Sequence, residues 1–237
     1  MPLPKPHPHK GIYIEYQGKK IARYPISTKV FMKGDHVPLI VKKAITELLP
    51  FIKEHHVIVA VSEKAVSASQ GRAYFIKDLH PTWLAKFLVK FVTKSKHGIG
   101  LGSPYTMQIA LWEVGIPRIL LATLVAALTK PFGIKGMFYR VAGKQARSID
   151  GPADYVIPPY NKAAVLGARE PDKLCAEISK ANNNIGVFIM DSNDLGRNII
   201  GTYNLDKEQL RYAKAAFKDN FWGSTREQTP VGLIAWD

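Results

Sequence analysis

Two short apolar runs constrain this chain most. Val57–Val61 is wholly apolar and rich in β-branched residues, and the polar Ser62-Glu63-Lys64 follow it at once. Gly186–Met190 is equally apolar and ends at Asp191. A run of five apolar residues with no alternation is the pattern of a buried strand. Each run therefore predicts a strand that leaves the interior at a polar or acidic residue. The remaining elements have to cover these strands.

The pattern around them supplies both helices and strands. Ile12–Tyr16 and Lys20–Ile26 flank Gln17-Gly18 and predict a hairpin. After Gly34-Asp35, the apolar positions of Val37–Leu49 form a helical stripe that Pro50 stops. Pro81–Thr93 places Trp83, Leu84, Phe87, Leu88 and Phe91 on one helical side and lysines on the other. Helices are also predicted over Thr106–Val114, Pro117–Lys130, Pro171–Asn183 and Asp206–Lys218, the last with Asp206 as N-cap. Met137–Ala142 reads as a strand, Ser148–Pro159 as a loop, and Val231–Trp236 as a closing strand. Strands and helices do not alternate regularly enough for a doubly wound sheet, so the fold class expected is α+β, or irregular α/β. Residues 1–10, with four prolines and two histidines, read as a mobile arm. Residues 11–237 read as one domain.

Composition removes several classes. A single cysteine, Cys175, excludes an internal disulfide framework and a cysteine zinc site, and suits a reducing cytoplasm. The longest largely apolar run, Ile119 to Leu128, is too short for a membrane span, which needs about twenty residues. The first ten residues lack the apolar stretch of a secretory signal. The formal charge of +14 is uneven: residues 1–100 carry 17 basic and 6 acidic side chains. Such a surface attracts nucleic acid, nucleotides or any polyanionic substrate, so charge alone picks no partner. No nucleic-acid module signature is present.

Motifs narrow the field further. His97-Gly98-Ile99-Gly100-Leu101-Gly102-Ser103 is not the dinucleotide fingerprint, because its third glycine comes one residue early. It reads as a connector, with a loop that wraps a phosphate in backbone N–H groups ahead of the next helix as the alternative. Gly143-Lys144 lacks the glycine spacing and the following hydroxyl of a P-loop. The pairs His7/His9 and His55/His56 have no third ligand at workable spacing. Asp150, in a tight turn, and Asp191, at a strand end, are different. Two carboxylates with a hydroxyl or amide oxygen suit magnesium or manganese, although turn geometry alone also places aspartates there. Lys64, Arg72, Lys144, Arg147 and Arg197 lie near these turns as candidate phosphate ligands.

Several segments, in order, resemble the coenzyme F-420 gamma-glutamyl ligase family. The clearest is Val59–Arg72, a strand and loop in which Lys64 and Ser67 precede the pair Gly71-Arg72. Tyr24–Thr28 followed by Gly34-Asp35 resembles the family's opening loop and its step into the first helix. Ser148-Ile149-Asp150, Met190–Arg197 and Gly223–Val231 resemble three later blocks, so the resemblance covers roughly residues 21–236. Gly136–Arg147 stands where the family carries a His-to-Asn stretch. Asn193 stands where it carries Asp, leaving Asp191 or Asp194 as the ligand.

The resemblance implies a gamma-glutamyl ligase-like fold, with mixed sheets and flanking helices, in a homodimer. It implies a ligase that uses GTP (or ATP) and Mg2+ or Mn2+. L-glutamate would be joined through a gamma-linked amide to an anionic acceptor, a deazaflavin or folate tail, by way of an acyl phosphate. It places Lys64, Asp150 and Asp191 in catalysis, and Asp150, Asp191, Ser192 and Gln228 on the metal. Pro25, Ile26, Ser27, Thr28, Ser62, Glu63, Lys64, Ser67, Gly223, Ser224, Thr225, Arg226 and Gln228 would line the nucleotide. A membrane partner is not implied, and nucleic acid is a lesser alternative.

Overall fold

The structure is a computed structural model that describes residues 4–6, 10–92, 100–193, 196–223 and 227–237. His7, His9, Asp194, Ser224, Thr225, Arg226 and the first three residues of the Gly-rich segment lie outside this set. The chain divides into two compact units. Residues 1–71 and 168–237 form the first, and residues 72–167, inserted between them, form the second. Among the described residues no helix is long and apolar enough to cross a membrane. The fold class is α+β, with a mixed sheet.

The first unit is built on six strands: β1 (Tyr13–Tyr16), β2 (Lys19–Ile26), β3 (His56–Ser62), β6 (Gly186–Asn193), β7 (Gly196–Tyr203) and β8 (Val231–Trp236). Their order is β1-β2-β8-β3-β6-β7. The hairpin forms where expected, because Gln17 and Gly18 both take the left-handed backbone (φ 51° and 77°) that matches strand twist in a two-residue turn. The predicted buried strands pair parallel, with Ser62 opposite Met190. β8 lies antiparallel between β2 and β3, and every one of its residues is buried.

The apolar residues of these strands alternate between two covers. Ile58, Ala60, Phe188, Met190, Ile234 and Trp236 face Tyr212, Ala213, Ala216, Phe217, Phe221 and Trp222, from α9 (Lys207–Ala216) and the turn after it. Helix α9 opens with a reciprocal capping box in which Asp206 accepts from the Gln209 N–H, as its N-cap position predicts. On the opposite face, α8 (Pro171–Ala181) packs on β6 and β7, and α1 (Val37–Thr46) packs on α8 and β8. Two glycines are required by close approach. A Cβ on Gly232 would meet Trp222 Nε1 at 2.6 Å, and one on Gly201 would meet Pro171 at 2.6 Å.

The second unit is mainly helical: α3 (Trp83–Leu88), α4 (Pro104–Val114), α5 (Ile116–Thr129), α6 (Met137–Ala142) and α7 (Lys144–Arg147). A two-stranded ribbon, β4 (Ala73–Phe75) with β5 (Ala163–Val165), completes it. The unit has its own core, which includes Leu88, Leu101, Met107, Ile109, Ile119, Phe138 and Ile149. The expected strand at Met137–Ala142 is corrected here to helix α6. Gly136 and Gly143 bracket it at φ 80° and 93°, and Phe138 and Ala142, four residues apart, bury one side.

Two further expectations change. The polar stretch after β3 opens helix α2 (Glu63–Ser69), whose second half, Val66, Ser67, Ala68 and Ser69, is buried. Strand β6 does not end at Asp191 but runs on to Asn193, paired antiparallel with β7. The arm is also anchored at its end: Lys10 Nζ donates to the Asn220 carbonyl at 2.8 Å.

One buried cation ties the first unit together. Arg23 on β2 is 1% exposed. It forms an ion pair with Asp219 and donates to the Ala216 carbonyl at 2.9 Å and to the Gly11 carbonyl. Removing the carboxylate leaves a buried guanidinium short of its counter-charge. Asp219→Ala is therefore expected to destabilise the protein by about 2–3 kcal/mol, read as a lower urea midpoint. Arg23→Met, which removes the buried charge itself, should cost less than that if the pair is the dominant interaction.

Candidate functional site

Within the first unit, four stretches named separately by the sequence meet at one edge of the sheet. Strand register aligns Ile26 with Val231, Val231 with Val61, and Val61 with Ile189. Directly beyond that row lie Ser27-Thr28, Gln228–Pro230 and Ser62–Lys64, while on β6 Met190 comes next and Asp191-Ser192 follow it. Because β8 is antiparallel to both its neighbours, β2, β3 and β6 all point their carboxyl ends at this edge. In open sheets with covering helices, ligands bind outside the carboxyl ends of strands.

Hydrogen bonds fix the edge. The Ser62 N–H donates to the Pro230 carbonyl at 2.8 Å. Thr28 and Gln228 are joined twice: the Thr28 N–H donates to the Gln228 carbonyl at 3.2 Å, and Gln228 Nε2 donates to the Thr28 carbonyl at 2.6 Å. That second bond consumes the amide nitrogen and leaves the Gln228 side-chain oxygen as an acceptor. Glu63 accepts from the Ala168 N–H at 3.1 Å, so it latches the chain where it re-enters the unit. Lys64 is exposed on the first turn of α2.

The expected site residues divide on burial. Ser27, Lys64 and Gln228 are exposed, and Thr28, Ser62, Glu63, Asp191, Ser192 and Gly223 are half-buried. Pro25 and Ile26 do not form an opening loop. They are buried in β2, opposite Gly232 and Val231. β1 pairs with β2 only as far as Ala22, so Pro25 costs no ladder bond on that side. Ser67 is fully buried, and its hydroxyl has no hydrogen-bond partner among the described residues. It lies inside α2's packed side rather than on the rim.

Asp191 and Ser192 present their side chains to opposite faces. Ser192 Oγ donates to Asn220 Oδ1 at 3.2 Å, on the α9 face that Phe188 and Met190 also occupy. Strand alternation turns Asp191 to the other face. The Ser192 hydroxyl is therefore not the oxygen that would join the Asp191 carboxylate on an ion. Asp150 belongs to the second unit, where its backbone pairs with Val165 in both directions (2.8 and 2.9 Å). Among the described residues there is no group of three or more His, Cys, Asp or Glu able to hold a metal. The donors left at the edge of the first unit, a carboxylate and an amide oxygen, are hard and suit Mg2+ or Mn2+ in kind.

Arg72 is corrected as a phosphate ligand. It is 7% exposed and spends its guanidinium on Glu113 (2.6 Å) and the Gly167 carbonyl (2.6 Å), inside the second unit.

Sequence reasoning missed Asn220. It is buried at φ 48°, accepts from Ser192 and Lys10, and donates to the Gly223 carbonyl at 3.0 Å. An Asn four residues after a helix end, just before a Phe-Trp-Gly turn, is the signal available, since Asn tolerates the left-handed region. Gly223 is required by its φ of 85°, and a Cβ there would also displace the Glu227 carboxylate, the movable end of a flexible side chain.

Ionisation follows local contacts. The Lys29 ammonium at 2.6 Å and the Met32 N–H at 2.8 Å hold the Asp35 carboxyl below the usual range. Burial pushes the Cys175 thiol up to about 12, with Asp172 adding to it. Burial also raises the Tyr24 hydroxyl.

No family model matches the chain, and no curated protein matches it.

Two predictions follow from this geometry. Gly223→Ala should cost about 1–2 kcal/mol through its positive φ and the displaced Glu227, and the cost should shrink in a Glu227→Ala background, read by urea unfolding of the four-member cycle. A lowered carboxyl contributes stability above its unfolded value and loses it as pH falls through the folded one. The Asp35 clasp should therefore hold at neutral pH and release only below about pH 4. Carboxyl NMR should show Asp35 titrating late, and Lys29→Ala should bring it back toward the usual value.

Proposed function

We propose that this chain is a nucleotide- and divalent-metal-dependent ligase that adds L-glutamate, through a gamma-linked amide, to an anionic cofactor tail of the deazaflavin or folate type. What supports the reading is convergence. Segments spread from Ser27 to Gln228, each picked out by its likeness to one ligase family, end at a single edge of one sheet. That edge carries an exposed lysine, a carboxylate and an amide oxygen within a rim of backbone polar groups. A gamma-glutamyl ligase-like fold, a homodimer and a cytoplasmic setting belong to the same reading.

The chemistry assigns distinct work to these residues. The acceptor carboxylate attacks the γ-phosphate of GTP or ATP, releasing the nucleoside diphosphate and leaving an acyl phosphate. The glutamate amine then displaces phosphate to form the amide. Lys64 supplies positive charge to the phosphates and to the oxygens that gain charge in the transfer. Asp191 and the Gln228 oxygen would hold Mg2+ or Mn2+, which when bound neutralises phosphate charge. Ser27 and Ser62 would offer hydroxyls to the nucleotide, beside the Thr28–Gln228 pair and Gly223.

The assay supplies GTP or ATP, Mg2+ or Mn2+, glutamate and candidate acceptors, and reads phosphate release with the mass gain of a glutamyl residue. Lys64→Ala and Asp191→Ala are each expected to lower kcat/KM by about 100-fold or more with folding intact. Asp150→Ala reads whether a carboxylate of the second unit takes part. Absence of nucleotide turnover with every acceptor refutes the ligase.

A second reading, a relative that binds nucleotide without turning it over, is favoured by one observation: Asp191 and Ser192 face opposite ways and no three-residue metal cluster accompanies them among the described residues. Nucleotide binding without any glutamylated product separates it from the ligase.

A further inference from the structure

We propose that the second unit docks on an anionic lipid surface through the outer face of α5 and the turn that follows it. This inference is independent of the ligase reading. Helix α5 is apolar nearly all round. Ile119, Ala122 and Thr123 fill its inner side, and Ala126 packs beside them. Leu120, Leu121, Leu124 and Leu128 project on the opposite side and are 43–62% exposed. A helix with apolar residues on every side is normally buried on every side, and this one is covered on one side only.

The turn beyond α5 continues the surface. Residues 130–136 are all exposed, reading Lys130-Pro131-Phe132-Gly133-Ile134-Lys135-Gly136. Phe132 is 82% exposed and Ile134 49%. An aromatic and a branched aliphatic side chain thus stand at a tip between two lysines. Exposed large apolar side chains in such a group mark an interaction surface.

Charge selects the occupant. From Val114 to Ile149 the chain has no Asp or Glu and six Lys or Arg, among them Arg118, Lys130, Lys135 and Arg140. A second copy of the same face would bring cations against cations, with no carboxylate in that stretch to pair them. Single-stranded nucleic acid is held by aromatic stacking platforms, whereas this face is leucine. Leucines and a Phe–Ile tip beside a basic margin match acyl chains beneath anionic headgroups, the pattern of a helix lying in the interface plane. At 14 residues α5 spans about 21 Å, too short to cross a bilayer. It therefore lies on the surface.

The test is sedimentation of the full chain with phosphatidylcholine vesicles, plain or containing about one-third phosphatidylserine. Retention is expected on the anionic vesicles alone and should fall at high salt. The pair Phe132→Ser with Ile134→Ser, and separately Lys130→Glu with Lys135→Glu, should each weaken it about tenfold or more, with unfolding midpoints unchanged, since all four side chains are exposed. Three results would overturn the proposal. One is no retention on either vesicle. Another is retention untouched by losing Phe132 and Ile134, which would mean diffuse charge attraction. The third is a homodimer, or bound RNA, that the Phe132/Ile134 variant abolishes while vesicle retention persists.

Discussion

The sheet of the first unit depends on where its last strand goes. β8 hydrogen-bonds on both edges, to β2 and to β3, and all six of its residues are buried. Strands from opposite ends of the chain are thereby held in one sheet with no direct β2–β3 pairing. The same placement makes the site edge. An antiparallel strand wedged between β2 and β3 leaves both of them pointing the same way, and its own entry, Gln228–Pro230, lands between Thr28 and Ser62. Without β8 the carboxyl ends of β2 and β3 would have no common neighbour, and the paired bonds of Thr28 with Gln228 could not form.

The turn after α9 couples that edge to the stability of the fold. Arg23 on β2 reaches the Ala216 carbonyl at the end of α9 and the Asp219 carboxylate beyond it. One residue further, Asn220 holds Ser192 on β6, and the Gly223 carbonyl accepts from the same Asn. Phe217, Phe221 and Trp222 pack between these polar anchors and the sheet. The wall of the candidate site is thus an extension of the core, set by burial and by one buried cation. Substitutions far from Asp191 in sequence, at Arg23 or Asp219, act on the backbone that carries Ser192's partner.

Legibility in the sequence tracked how local the cause was. β3, β8, the first hairpin and the N-cap of α9 each follow from contiguous residues: an unbroken apolar run, a Gln-Gly turn, an Asp before a helical stripe. Met137–Ala142 misled because six apolar-rich residues fit a strand or a buried helix equally, and its packing against α5 and α7 decided for the helix. β7 was missed because an outer strand, with Arg197, Asn198 and Tyr203 exposed, lacks the apolar run. The insertion of residues 72–167 was invisible, since no composition change marks Gly71 or Gly167. At the site, the residues of the edge were named but not their facing. That Asp191 and Ser192 diverge depends on β6 continuing past Met190, which pairing with β7 determines and local sequence does not. Asn220 escaped because its role is a set of tertiary hydrogen bonds.

The distribution of charge changes meaning once the units are known. Cutting the sequence at residue 100 assigned most of the excess to one half, but the physical division falls at 71 and 167. Counted by unit, residues 72–167 carry 13 basic and 4 acidic side chains, while the longer first unit carries 20 and 15. One of those four acids, Glu113, is already spent on Arg72 in the interior. Positive potential therefore belongs to the inserted unit, and the residues of the candidate nucleotide edge sit in a nearly balanced one. A polyanionic substrate needs local cations at its phosphates, the role proposed for Lys64. It does not require an acid-free stretch of 36 residues bearing solvent-facing leucines. Charge of that kind, joined to apolar surface, is better explained by an extended anionic partner than by a small substrate. On the two proposals, the polar sheet edge and the basic apolar helix face of this chain answer to two different ligands.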